Sequence, residues 1–280
     1  MSTTFLFDMS NLIYSTCISH HTKTGDQIDL DLMRGLFLSR LKDIRSTLKV
    51  KSSDELVLIF DSLNYWRREI FPHYKMTRRK TRDDSTMDWT LFFSSYEKVK
   101  EEFSKISPWK CIQVDRAEAD DVIGVLAIRL CQTKDIVIVS SDKDFLQLQA
   151  KGRQIRQWSI LGKWLKPNEY DLFEHIVRGD TGDGIPNILS PGDSLVSGKR
   201  QKSLFEKDLL DWKRKPRPED FCRDREMLER FDINRRLIDL SCIPQDVADD
   251  IIKTYENTKP AFGKLTSYIV SCGLFRIMPI

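Results

Sequence analysis

The chain has 280 residues, 40% of them hydrophobic and 31% charged, with a formal net charge of +3. That balance excludes a disordered protein, and the length is enough for one large core or two small ones. No apolar run approaches the roughly 20 residues of a membrane span, and "MSTTFLFD" lacks a signal peptide's apolar core, so the protein is expected in the cytoplasm.

In chain order, "TFLFD" (Thr4 to Asp8) and "ELVLIFD" (Glu55 to Asp61) are short apolar runs of strand length that end in aspartate. "WKCIQVD" (Trp109 to Asp115) and "DIVIVSSD" (Asp135 to Asp142) have the same character. Between them, residues 30–48, 87–106 and 117–131 carry apolar residues at helical spacing. Nearly continuous apolar strands separated by helices predict a parallel sheet covered on both faces. "RQIRQWSILGKWLKP" predicts a short hairpin with Gly162 in the turn. From Asn168 onward the chain reads mainly as helices, with loops around 179–198 and 213–218. The expected division is 1–178, carrying a basic arch at about 62–86, and a helical part at 179–280.

Charge is segregated along the chain. From Tyr65 to Arg82, seven Lys or Arg stand against one Glu, a local +6, so the remainder is net acidic by 3 − 6 = −3. A second basic run, Gly198 to Arg217, has eight basic residues against three acidic ones. Positive charge gathered into two segments points to a polyanion. The six cysteines, Cys17, Cys111, Cys131, Cys222, Cys242 and Cys272, form no CxxC pair, so they read as reduced and structural.

The acids fall where an open parallel sheet binds ligands, beyond the carboxyl ends of its strands. Asp8 and Asp61 end the first two strands, and Asp142 with Asp144 end the fourth. Glu118, Asp120 and Asp121 open the helix after the third, whose face Val122, Val125, Leu126 and Leu130 is expected on the sheet. Asp180 and Asp183 lie in the glycine-rich "RGDTGDGIPN". Simpler roles exist for several of them. Ser141-x-x-Asp144 fits a capping box, acids in a helix's first turn favour its dipole, and Asp180 and Asp183 fit ordinary turns. Asp8 and Asp61 are harder to explain so, because each follows an apolar stretch and needs a partner. Two bare carboxylates about 4 Å apart repel by roughly 4 kcal/mol at an effective dielectric near 20. Divalent cations remove that cost, and an all-oxygen set without His or Cys suits Mg²⁺ or Mn²⁺. Two such ions can generate a hydroxide and stabilise the leaving oxygen of a phosphodiester.

"FDMSN", "IFDSLNYWRREIFPHYKMTRRK", "EADD", "SSDKDFLQL" and "GDTGDGIPN", in that order, make the chain resemble the 5′ nuclease (flap endonuclease) family, particularly its T-even-type bacteriophage ribonuclease H members. The resemblance implies a PIN-like α/β core and a helical part with a helix-three-turn-helix DNA-binding element. It places metal-site acids at Asp8, Asp61, Glu118, Asp120, Asp121, Asp142, Asp144, Asp180 and Asp183, some acting through water, around two Mg²⁺ for which Mn²⁺ can substitute. The family's arch pattern P-x-Y-K-x-x-R falls on Pro72, Tyr74, Lys75 and Arg78, giving Tyr74, Lys75 and Arg78 a catalytic role, with Lys75 and Arg78 gripping the scissile phosphate. Arg67, Arg68, Arg79, Lys80, Lys199, Arg200 and Lys202 would contact nucleic-acid phosphates. Aromatic residues Tyr65, Trp66, Phe71 and Tyr74 would either stack unpaired bases or pack the arch, with packing favoured for Trp66. Where family members have a second glycine-rich turn that can hold potassium, this chain reads "NILSPGDSLVSGKRQKS", a departure from the monovalent-cation pattern.

The activity implied is Mg²⁺-dependent hydrolysis from the 5′ end of RNA–DNA or DNA duplexes and flaps, by a monomer that removes primers in replication. A single-stranded-DNA-binding protein and a sliding clamp are the implied partners. The apolar "GLFRIMPI" would dock the clamp or, as expected, pack on its own domain. A PIN-type endoribonuclease, a DxD phosphatase and a catalytically inactive structure-specific DNA-binding protein are the rival readings.

Overall fold

The computed structural model describes residues 2–149, 151 and 154–275, with the backbone alone at 80, 81 and 169. The chain groups into two compact units: residues 1–63, 86–167 and 245–280 form the first, and residues 64–85 and 168–244 the second. The division expected from sequence, 1–178 and 179–280, is a different one. The basic arch segment groups with the helices after 168, and the chain from residue 245 to 275 returns to the sheet unit, because Leu265 and Ile269 are part of its core.

The first unit is built on six strands: β1 (Thr3–Asp8), β2 (Glu55–Ile59), β3 (Lys110–Ile112), β4 (Asp135–Val139), β5 (Ile155–Ser159) and β6 (Lys163–Leu165). Their order is β3-β2-β1-β4-β5-β6, with β6 antiparallel to β5 and every other pair parallel. The predicted hairpin is therefore present, with Gly162 at φ +90°, and it extends the parallel sheet. β1 runs to Asp8 itself, whereas β2 ends at Ile59 and β4 at Val139, short of their apolar runs, so Asp61 and Asp142 leave the sheet as loop residues.

Side chains alternate between the two faces of each strand. Phe5, Phe7, Leu56, Leu58, Val137 and Val139 share one core with the helices Met9–Thr24, Leu30–Thr47 and Trp89–Ile106. The intervening Leu6, Val57 and Ile138, all fully buried, lie on the opposite face, against which the helix Ala119–Leu130 packs. On that helix Val122 and Leu126 are buried as expected, joined by Ile123 and Ala127, while Val125 and Leu130 are only half-buried. Burying each such aliphatic side chain contributes about 1.5–3 kcal/mol.

The helix Met9–Thr24 has no counterpart in the sequence reading. It carries three Ser or Thr on its outer half and no single apolar stripe, so periodicity does not reveal it. It forms because Asp8 caps its N-terminus and Gly25, at φ +79°, ends it. Aspartate also starts the helices at Leu30, Trp89, Leu172 and Arg225, through Asp29, Asp88, Asp171 and Asp224.

The second unit is helical. Leu172–Arg178, Glu206–Trp212 and Arg225–Ile238 surround a core of Ile176, Val177, Trp212, Phe221, Phe231 and Ile238, with Trp212 and Phe221 stacked at 5.5 Å. The short helices Trp66–Ile70 and Thr77–Asp83 belong to the same unit. Buried Asn234 donates to Ile176 O and Pro186 O, tying the turn after residue 179 to the helix before it. No helix among the described residues is long and apolar enough to cross a membrane. All six cysteines are free.

Candidate metal centre and basic segment

Parallel register aligns Asp8 with Ile59 and Phe7 with Val139, so Asp61 and Asp142 emerge beside Asp8 at the carboxyl edge of the three central strands. Asp8 is 4% exposed. One of its oxygens accepts from Asn11 N at 2.9 Å, which is the helix cap, and the other accepts from Ser140 Oγ at 2.9 Å. The same Ser140 oxygen accepts from Asp142 N at 3.1 Å, linking the ends of β1 and β4 through one hydroxyl. Asp61 is held from both sides: its N donates to Ser10 Oγ at 3.3 Å, and its Oδ1 accepts from Ala119 N at 2.7 Å.

That last bond ties β2 to the start of the helix Ala119–Leu130. Glu118 and Asp121 form a reciprocal capping box there, with Glu118 N donating to Asp121 Oδ2 at 3.0 Å, and both residues are buried. Asp120 is half-buried in the same turn, as are Asp142 and Asp144 after β4. The cap after β4 differs from the sequence expectation. Asp142, not Ser141, starts the turn, accepting from Asp144 N at 2.9 Å, while Ser141 Oγ pairs with Ser159 Oγ at 2.7 Å. A serine at the strand edge reaches across to the neighbouring strand β5, a partner that local spacing does not reveal.

The electrostatics follow from the crowding. Burial first, then the charge of Asp61, and then that of Asp142 raise the Asp8 carboxyl to about 7, against the hydrogen bonds from Asn11 and Ser140 that lower it. Tyr96, whose OH lies 2.9 Å from Ser10 Oγ, is driven well above the usual phenol value by burial and then by Asp61. Hydrogen bonds alone thus leave the cluster repulsive. Its all-oxygen donors at hard, charged positions fit divalent cations such as Mg²⁺, which prefer carboxylate and water ligands. Ser10, Asn11, Ser140 and Tyr96 were missed in the sequence. The first three are visible only as small polar residues directly after strands, and Tyr96 carries no local signal.

The second unit holds the arch residues and the remaining two acids. Asp180 Oδ1 accepts from Gly182 N at 2.7 Å and from Asp183 N at 3.1 Å, a turn closed by its own side chain. Burial would raise its carboxyl, but His175, 3.5 Å away, and these backbone donors hold it below the ordinary value. Asp183 meets the arch: its Oδ2 accepts from Tyr74 OH at 3.0 Å and lies 3.7 Å from Lys75 Nζ, and its Oδ1 pairs with Arg78. Gly184, at φ +77°, permits this approach, since a Cβ there would stand 3.1 Å from His73 O.

Trp66, Phe71 and Tyr74 are buried, so packing rather than base stacking occupies them. Arg67, expected to face nucleic acid, is 2% exposed: its Nε donates to Leu237 O at 2.8 Å and its guanidinium lies over Trp66, so it is a structural strut. Arg68, Arg79, Lys199, Arg200 and Lys202 are exposed. The Lys80 side chain and residues 276–280 of the apolar C-terminal segment lie outside the described residues; within that segment Leu274 packs on the sheet unit. The basic loop is anchored, because Asn187 Nδ2 donates to Lys202 O and Lys202 N donates to buried Ser190 Oγ.

Comparison with known proteins adds identity to this geometry. Residues 3–174 match the profile described as "5'-3' exonuclease, N-terminal resolvase-like domain", and residues 167–279 match "T4 RNase H, C terminal". The chain is 31% identical to ribonuclease H of Enterobacteria phage T4, over 97% of this chain and 92% of that one. It is 28% identical to the exodeoxyribonuclease of Enterobacteria phage T3, over 60% of each chain. Among solved structures, the bacteriophage T5 flap endonuclease in a pseudo-enzyme-product complex with DNA and metal ions superposes with a TM-score of 0.60 and 16% identity, covering 91% of this chain and all of that one. The T5 5′-exonuclease with bound zinc gives a TM-score of 0.59 at 16% identity, over 90% of this chain and 99% of that one. At such identity the likeness is one of fold: a mostly parallel, PIN-like sheet flanked by helices, with a helical C-terminal part.

Proposed function

The chain belongs to the 5′-3′ exonuclease family, and on that premise we propose that it is a Mg²⁺-dependent 5′ nuclease. Its substrates are RNA–DNA or DNA duplexes and 5′ flaps, and its role is the removal of RNA primers in replication. The observation that carries this reading is the crowding of Asp8, Asp61 and Asp142 at the carboxyl edge of the central strands, where Asp8 is pushed to about 7 by burial and by its neighbours' charges. An inactive DNA-binding protein has no use for such a repulsive cluster. Asp8, Asp61, Glu118, Asp120, Asp121, Asp142 and Asp144 would hold the ions, some through water. Divalent cations bound there supply charge neutralisation and an acidified water.

The protein's own groups do the rest. Ser140 fixes the spacing of Asp8 and Asp142, and Ala119 N with Ser10 fixes Asp61, so the carboxylates are oriented before any ion arrives. Lys75 and Arg78 supply fixed positive charge to the phosphate, where charge builds up as the bond breaks. Lys199, Arg200 and Lys202 contribute sequence-independent backbone contacts. A single-stranded-DNA-binding protein and a sliding clamp would be its replication partners.

The test is incubation of a 5′-labelled RNA–DNA duplex and a 5′-flap substrate with Mg²⁺ or with EDTA. Short products released from the 5′ end with Mg²⁺ alone are expected. Cleavage in EDTA, or cleavage confined to single-stranded RNA, would replace this reading with a metal-independent or an endoribonuclease one.

A further inference from the structure

We propose that Gln157, with Ser159 beside it on β5, is a positioning residue of the metal centre: the two fix the loop of residues 140–144, and so the place from which Asp142 and Asp144 reach an ion. The proposal rests on the metal-dependent reading above. β4 ends at Val139, and its ladder to β5 closes with Ser140 N donating to Trp158 O at 3.1 Å. Beyond that point a side chain takes over from the strand. Gln157, opposite Ile138 in the parallel register, is fully buried, and its Nε2 donates to Ser140 O at 3.0 Å and to Asp142 O at 2.5 Å.

One amide thus spans the two carbonyls on either side of Ser141. Only its NH₂ end can donate to them, which settles the orientation of the side chain. The other end, Oε1, accepts from no protein donor among the described residues, so all of the amide's hydrogen bonding to the protein is directed at this loop. Ser159 lies two residues further along β5 and on the same face. Its buried hydroxyl stands 2.7 Å from Ser141 Oγ and accepts from Leu161 N at 3.1 Å. From the β1 side, Asn11 Oδ1 accepts from Ser141 N at 3.1 Å.

The loop needs such a hold. The like charges of Asp8 and Asp142 oppose one another, and a loose loop would relieve that repulsion by carrying Asp142 away. Leaving Gln157 would strand two carbonyls, one of them on fully buried Ser140, without their donor, and buried acceptors are costly to leave unpaired. The bonds from Gln157 and Ser159 end on main-chain carbonyls and a hydroxyl, none on a carboxylate oxygen. An ion arriving at Asp142 and Asp144 therefore does not compete for them.

The experiment compares the full-length parent with Gln157→Met, Ser159→Ala, Ser159→Thr and, as a control destabilised at the amino end of β2, Glu55→Gln. Methionine keeps the length of glutamine without its amide. Each protein is melted in EDTA, titrated calorimetrically with Mn²⁺ without substrate, and assayed for single-turnover cleavage of the 5′-flap substrate at saturating Mg²⁺. Gln157→Met should bind Mn²⁺ about 10-fold more weakly and cut about 10–100-fold more slowly, the loss expected when a group that orients metal ligands is removed. Ser159→Ala should lose about 3–10-fold in Mn²⁺ affinity, and Ser159→Thr, which keeps the hydroxyl, should recover most of it. Glu55→Gln should melt lower than the parent yet match its Mn²⁺ affinity within about twofold, because its site is remote from the loop.

A Gln157→Met protein that melts cooperatively and keeps the parent's Mn²⁺ affinity would overturn the proposal, leaving Gln157 a structural group. Where Gln157→Met gives no cooperative melt, the Ser159 pair decides: parental affinity in Ser159→Ala, or no recovery in Ser159→Thr, overturns it. So does an equal loss of affinity in Glu55→Gln, which would make metal binding follow stability alone. A parent that binds no Mn²⁺ and cuts neither substrate with Mg²⁺ overturns the metal-dependent reading and this proposal together. An active, Mn²⁺-binding parent with unaltered variants overturns this proposal alone.

Discussion

Asp8 carries two duties on one carboxylate. It caps the helix Met9–Thr24 through Asn11 N, and it faces the charges of Asp61 and Asp142. The cap hydrogen bond favours the charged carboxylate, but burial and like charges oppose it more strongly, so in the folded protein without cations Asp8 takes up its proton near neutral pH. Asp8→Asn keeps the acceptor for the cap and removes one charge from the cluster. We expect it to stabilise the cation-free protein by about 1–3 kcal/mol, to abolish cleavage, and to remove most of the Mg²⁺-induced rise in melting temperature. Thermal melts of both proteins in EDTA and in Mg²⁺ check all three; a variant less stable than the parent in EDTA would mean the cap outweighs the repulsion.

Among the elements, the turn after the helix Leu172–Arg178 is the most tightly specified. Gly179 has φ +70°, and a Cβ there would lie 2.4 Å from both Ile185 O and Pro186 O. Ile185 belongs to the bridge that pairs it with Asp180, and Pro186 O is an acceptor for buried Asn234. They cannot retreat without breaking that turn. Gly179→Ala should therefore cost about 3 kcal/mol or more, read as a lower denaturation midpoint, and should loosen the loop that carries Asp183. Glycine-rich sequence marks a turn here, but the need for glycine at this position comes from carbonyls six and seven residues away. The same limit applies to Ser140, whose bond to Asp8 spans 132 positions.

For the molecule as a whole, Glu55 at the start of β2 joins distant parts of the sheet unit. It accepts from Lys134 at 2.8 Å, from Tyr255 OH at 2.8 Å and from Thr4 Oγ1 at 3.2 Å, with Lys110 Nζ 3.6 Å away. Burial opposes its ionisation, yet Lys134, Tyr255 and Lys110 hold it below the ordinary value of 4.5. Because the folded carboxyl titrates lower than the unfolded one, this network's stabilisation is complete above pH 4.5 and is lost as pH falls through the folded value. Glu55→Gln should cost about 1–3 kcal/mol at pH 7, and the gap from the parent should narrow below pH 4.5 in urea titrations. It should also loosen the helix Gln245–Asn257, whose Tyr255 carbonyl accepts from Lys110. A pH-independent gap would assign the loss to packing.

The sequence alone determined the sheet-and-helix class, the chain order of its strands and the acids that end them, because apolar runs of strand length and carboxylates at their ends are local patterns. It also located the basic segment and its P-x-Y-K-x-x-R residues. What only the tertiary structure decided are the pairings between residues far apart in the chain. Strand register puts Asp61 and Asp142 beside Asp8; Ser140 and Ser10 orient them; and Asp183, one acid among nine by its spacing, is drawn to Lys75 and Arg78. Arg67 has a basic residue's usual surface pattern in sequence, yet the Leu237 carbonyl lies 170 positions further on and claims it for the interior. Composition and spacing fix which groups a protein can ionise or bond. Burial and partner, which set what each group does, come only from the folded chain.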